Sequence, residues 1–137
     1  MLLVMLGELI YEGKGRITGP RILNAEENKI EHTLLEIGRF KDIDVNIIST
    51  FWTIPAGKNT VYGEAQAVIT TKDNGEIAAY RAYGIGRSNE SGRTSFRGTV
   101  FYKTLATGKL SFLNNMVGVL EAEIENNNHS DKIWEWK

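Results

Sequence analysis

From residue 59 to residue 105 apolar and polar positions alternate through three long segments, NTVYGEAQAVITT, EIAAYRAYGIGRS and RTSFRGTVFYKTL, separated by the turn signals KDNG and NESG. A period of two puts successive side chains on opposite faces of a strand, and tight Gly-containing turns between such segments predict an antiparallel meander. Glycines recur with the same period on one face of each segment. Long strands with small residues on one face suit a strongly coiled sheet, so the pattern favours a closed barrel over a helical or α/β domain.

The alternation continues on both sides. In residues 6–23, Leu9, Tyr11, Gly13, Gly15 and Ile17 oppose Glu8, Ile10, Glu12, Lys14 and Arg16. NAEEN then turns the chain into residues 29–40, a second strand with mixed faces. Residues 42–54 set Ile43, Val45, Ile47, Ser49 and Phe51 against Asp44, Asn46, Ile48, Thr50 and Trp52. Pro55 and Gly57 are expected to end that strand, because proline cannot donate to a ladder. Across residues 109–125 a helix competes, since Leu110, Leu113, Val117 and Leu120 have nearly helical spacing. Asn114-Asn115, Gly118 and the alternating Leu120, Ala122 and Ile124 favour a strand with a bulge near Asn114. Residues 126–130 read as a polar loop and KIWEWK as the last strand. The prediction is an all-β, single antiparallel barrel of eight strands in meander order, one domain spanning residues 1–137.

A consistent assignment of faces turns Gly13, Gly15, Gly63, Ala65, Ala67, Ala82, Gly84, Gly86, Gly98, Gly118 and Ala122 inward, with Tyr11, Tyr80, Phe96 and Tyr102 as the large interior residues. Two readings of this small-residue face stay open. The glycines relieve crowding where coiled strands bend while the aromatics fill the gaps, or they leave room for a ligand beside the aromatics. The outward face carries Ile48, Trp52, Ile54, Tyr62, Val68, Ile77, Tyr83, Ile85, Phe101, Val117 and Val119. A band of that size predicts a homo-oligomer, a dimer or trimer, unless a loop or the N-terminal segment covers part of it.

Charge and cysteine content narrow the partners. Sixteen Lys and Arg against 17 Asp and Glu give a formal charge of −1, and the signs are interspersed. No basic footprint for nucleic acid or an anionic membrane results. The absence of cysteine excludes disulfides, thiolate catalysis and Cys-based zinc sites. The N-terminal MLLVMLGELI lacks a basic region and a cleavage pattern, and no run approaches the roughly 20 apolar residues of a membrane helix. A cytoplasmic protein is expected. Asn89-Glu90-Ser91 and Asn128-His129-Ser130 then read as turn chemistry, not as glycosylation sites.

The runs YGEAQAVITTKDNGEIAAYRAYGIGR and SFRGTVFYKTLATGKLSFLNNMVGVLEAEI, with the closing KIWEWK, resemble an uncharacterised family of small prokaryotic β-barrel proteins over about the last 80 residues. More distantly, the G-x-G strands, the D-G turn and the G-K-L-x-x-L segment are similar to allene oxide cyclase-like and calycin-type barrels. That likeness implies a barrel that trimerises and holds an apolar ligand. No catalytic residue carries over from it, because no clear counterpart of a cyclase's internal acid is present.

Several strings imitate known motifs. Gly84-Ile-Gly86 and Gly13-Lys-Gly15 begin like dinucleotide fingerprints, yet each lacks the third glycine and lies within a strand. Thr107-Gly-Lys109 lacks the leading glycine of a phosphate loop, and Leu110 follows the lysine; it reads as a hairpin turn. His32 and Glu36 share one face of residues 29–40. If that face is inward the Glu36 carboxyl is a buried acid or base; if the strand lies at the rim, both groups are solvated. Glu64 and Arg81 are expected to pair across strands on the outside. With two histidines from remote segments, no metal site and no cofactor are expected.

Three functional readings follow. The first is a barrel binding a small apolar ligand against Tyr11, Tyr80, Phe96 and Tyr102, with His32 as a polar anchor at the mouth. The second is an isomerase or cyclase using the barrel interior, with His32 or Glu36 moving a proton. The third is a structural oligomer with a filled barrel.

Overall fold

The computed structural model describes residues 6–137, so the reading of the first five residues lies outside it. Eight strands follow one another: β1 (Leu6–Asn24), β2 (Lys29–Phe40), β3 (Ile43–Gly57), β4 (Thr60–Thr71), β5 (Ile77–Ser88), β6 (Thr94–Thr104), β7 (Val117–Glu125) and β8 (Asn128–Trp136). Each pairs antiparallel with the next, and β8 returns to pair with β1, closing the barrel. Closure removes the exposed sheet edges that an open meander would leave. The predicted all-β class, meander order and strand number are those of the structure. Among the described residues no helix is long and apolar enough to cross a membrane.

Turn chemistry sets the connections. Asn28, Lys41, Asn59, Asn74, Asn126 and Asn127 all have positive φ, a conformation that asparagine adopts more readily than most residues. Asn126 and Asn127, at φ 52° and 65°, make a two-residue reversal between β7 and β8. Such mirror-image turns match the right-handed twist of the strands they join. At the tip of the β5–β6 hairpin, Asn89 Oδ1 accepts from the Ser91 and Arg93 amides at 3.0 and 3.1 Å, so this triplet is indeed a turn.

The two ends of the barrel differ. At one end the connection from β6 to β7 forms a short 3-10 turn over Ser111–Leu113, and Leu110 and Leu113 enter the core with no exposed surface. They join Ile10, Tyr11, Phe40, Ile69 and Tyr102 in the central cluster. Phe40 packs against Tyr11 and Tyr102, with ring centroids 4.6 and 5.7 Å apart. The other end carries the short β3–β4 and β7–β8 turns, with no such plug among the described residues.

Three expectations are corrected. β3 does not end at Pro55 but runs to Gly57, with Pro55 opposite Val61 and a register shift directly after it. Proline lacks one donor, and an irregular strand end tolerates that loss. Residues 109–116 are not a bulged strand, because Leu110 and Leu113 gain more by capping the core together than by lying on opposite faces. Residues 128–130 are not loop: β8 begins at Asn128, and the triplet beginning there is strand.

The inward face is the predicted one except near the start of β1, where Ile10, expected outward, is buried in the core beside a register shift between Leu9 and Tyr11, and aromatics occupy much of the room that the glycines leave. A Cβ at Gly86 would lie 2.7 Å from the Phe96 ring, and one at Gly118 would lie 2.6 Å from Ile133. Glu64 does not pair with Arg81. It stands opposite Tyr83 and accepts a hydrogen bond from the neighbouring Tyr62 hydroxyl at 2.8 Å.

Candidate functional site

On the inward face of β1, Gly13 and Gly15 follow Tyr11. Gly13 stands opposite Gly38 of β2 and Asp131 of β8, while Gly15 stands opposite Glu36 of β2 and His129 of β8. With no side chain on the intervening strand, Glu36 reaches across it toward its second neighbours. Single ligand atoms of Glu36, His129 and Asp131 all lie within 4.8 Å of one another.

Two carboxyl groups are thereby enclosed. Glu36 is 4% exposed and Asp131 is 8% exposed, so Glu36 is not the solvated rim residue that one reading of β2 allowed. The Tyr11 hydroxyl donates to Glu36 Oε2 at 2.8 Å. Glu36 Oε1, Asp131 Oδ1 and His129 Nδ1 are buried without a hydrogen-bond partner. Enclosed polar atoms are normally satisfied, because each one left unpaired costs about 1–3 kcal/mol.

The electrostatics follow from burial. Desolvation first, then a hydrogen bond to Glu36, then the charge of Glu36 push the Asp131 carboxyl well above the usual range, because a buried acid beside another keeps its proton and shares it. Burial lowers the His129 imidazole despite the opposing pull of Glu36. Tyr11, Tyr80 and Tyr102 are all raised, chiefly by burial and then by the surrounding acidic groups and phenols. All three phenols therefore stay protonated donors at neutral pH.

Above this polar floor lies a cavity of about 80 Å³, measured as the space open to the centre of a water molecule. That exceeds the roughly 10–15 Å³ which one water requires on the same measure. Its wall is mainly apolar, with Leu34, Phe51, Phe96, Val100, Leu120 and Ile124, and His129 and Asp131 also face it. Some room thus survives among the aromatics.

Of the residues picked from the sequence, Tyr80 and Phe96 line this cavity. Tyr11 lies beneath it on Glu36, and Tyr102 stands edge-on to Tyr80 at 5.8 Å between centroids, facing the plugged end. His32 is set apart from the floor. It stacks on Phe51 at 5.3 Å, and partial burial lowers its pKa. It does not join Glu36 in one constellation.

His129 and Asp131 were not identified from the sequence because residues 126–130 read as loop. The signal was nevertheless there: Asn-Asn suits a tight turn, and a strand starting directly after it puts His129, Asp131 and Ile133 on one face.

No protein-family model matches the chain, and no curated protein matches it. Among solved structures it is similar to a protein of unknown function from Clostridium acetobutylicum, with 12% identity, TM-score 0.79, and coverage of 95% of this chain and 98% of that one. A conserved protein of unknown function from Rhodopseudomonas palustris aligns with TM-score 0.81 at 12% identity, over 98% of this chain and 99% of that one. A β-barrel-like protein from Acinetobacter baumannii aligns with TM-score 0.74 at 13% identity, over 95% and 94% of the two chains. At such identities the likeness is one of fold.

Proposed function

We propose that this barrel binds a small, largely apolar molecule carrying one polar group. The observation that supports this most directly is the cavity itself, with apolar walls that end on enclosed, unpartnered polar atoms of Asp131 and His129. Ligand sites commonly combine an apolar wall with a few placed polar groups that fix orientation. An apolar body would lie against Phe51, Phe96 and Leu120, and its polar end would meet the floor. Tyr80 would border it, and His32 would stand at the mouth on Phe51. The mode is that of the calycin-type and allene oxide cyclase-like barrels, and the setting is cytoplasmic.

Native mass spectrometry of the protein purified from its own host tests the proposal by weighing any small molecule that travels with the chain. Tyr80→Phe and His32→Ala should weaken binding of that molecule. Unchanged binding in both removes these residues from the site, and a chain that never carries a ligand removes the proposal.

The exposed face supports a second proposal, self-association. Leu35, Ile48, Val68 and Ala79 stand in register across four adjacent strands, and Leu35, Ile48 and Val68 are at least half exposed. An apolar row of this kind, which meets Lys103 on β6 and has exposed Phe101 and Ile77 beside it, fits a second copy of the same chain better than water.

A further inference from the structure

We propose that Glu36, His129 and Asp131 form a site for one divalent transition-metal cation, independent of whether an organic ligand occupies the cavity above. One ligand atom from each of the three residues lies within 4.8 Å of the other two, and each residue also holds a buried atom with no hydrogen-bond partner, Glu36 Oε1, Asp131 Oδ1 and His129 Nδ1. All three can offer a lone pair. A single proton bridges two of them at most, whereas one cation satisfies all three and also balances two buried carboxylates.

The surroundings are those of a built site. Glu36 and Asp131 are each more than nine-tenths buried, and they project from strands separated only by the glycine positions of β1. The Tyr11 hydroxyl holds Glu36 Oε2 and leaves Oε1 without a partner. A ligating carboxylate is commonly oriented by such a neighbour, whose loss typically costs about 10–100-fold in metal affinity. A Cβ on either Gly13 or Gly38 would fall on the Tyr11 hydroxyl, so both glycines keep this support in place.

Two carboxylates and one imidazole suit zinc, manganese or ferrous iron better than the soft-ligand metals. Three protein donors leave coordination positions open, as in catalytic zinc sites. Here the open side faces the cavity, because Asp131 and His129 also line it.

Titration of the chelator-treated full chain with zinc chloride, followed by calorimetry, tests the site, with cobalt(II) absorption reporting the coordination. One ion per chain is expected. Glu36→Gln, Asp131→Asn and His129→Ala should each weaken zinc binding at least 100-fold, Tyr11→Phe should weaken it about 10–100-fold, and His32→Ala should leave it unchanged. Near-UV circular dichroism checks each variant for folding, and the nearly isosteric Asp131→Asn decides if Glu36→Gln fails to fold. Absence of stoichiometric binding, or binding lost in His32→Ala and kept in Asp131→Asn, overturns the assignment. A co-purified organic ligand without zinc affinity would sink only the metal site, and zinc affinity without any such ligand would sink only the binding function.

Discussion

Tyr11 and Glu36 meet inside the barrel, hydroxyl to carboxylate at 2.8 Å, across a floor formed by Gly13 and Gly38, which face each other in register. A Cβ at Gly38 would coincide with the Tyr11 phenol. Gly38→Ala should therefore destabilise the barrel by about 1–3 kcal/mol, the usual cost of overpacking. In a Tyr11→Phe background the penalty should shrink in part, because the colliding oxygen is gone while the ring carbon and the Glu12 carbonyl still crowd the new Cβ. Urea unfolding of the two single variants and the double variant measures the coupling, and strictly additive effects would refute the contact.

Asp131 is buried beside Glu36 with one oxygen unpartnered. In chelator-treated protein at neutral pH, Asp131→Asn should raise stability by about 1–3 kcal/mol, because the amide donates to Glu36 without taking up a proton, whereas the raised Asp131 carboxyl must hold a proton above its unfolded pKa or else repel Glu36. Thermal unfolding checks the sign; a lower midpoint would mean that the acid is stabilising in its native surroundings.

Asp73 sits in the turn between β4 and β5. The Thr71 hydroxyl at 2.7 Å, the Gly75 amide at 2.8 Å and the Lys109 ammonium at 3.4 Å hold its carboxyl down, from the ordinary 3.8 to about 2. A folded pKa below the unfolded one contributes stability above the unfolded value, and that contribution disappears as pH falls through the folded value. Asp73→Asn should lower the melting temperature at pH 7, with the gap to the parent closing between about pH 4 and pH 2. A gap that stays constant over that window would show that the charge contributes nothing.

If the exposed row on β2 to β5 is an interface, the parent protein sediments as a dimer or trimer. The double variant Ile48→Lys, Val68→Lys should sediment as a single 15.4 kDa chain with unchanged circular dichroism, since both positions are at least half exposed. A parent that already sediments as one chain at micromolar concentration would remove the proposal.

The architecture was legible because a barrel strand writes its own signature. Alternation in residues 59–105, turn residues between the strands and glycines on one face need only local sequence, and they led to an eight-stranded meander. The inward assignment of Tyr11, Tyr80, Phe96 and Tyr102 came from the same rule. Where period and length were ambiguous, in residues 109–116, the local pattern failed: whether Leu110 and Leu113 cap a core depends on a barrel end being there to cap.

Periodicity puts His129, Asp131 and Ile133 on one face of β8 once its start is known, but it does not say what Asp131 and His129 meet. Glu36 lies almost a hundred residues before them in the chain, and only closure of β8 onto β1 makes them neighbours. The sequence by itself determined strands, faces and the number needed for closure, because side-chain direction is set by local backbone geometry. Only the tertiary structure decided that the polar residues of the interior converge on one floor, because the register across Gly13 and Gly15 is fixed by pairing between distant strands.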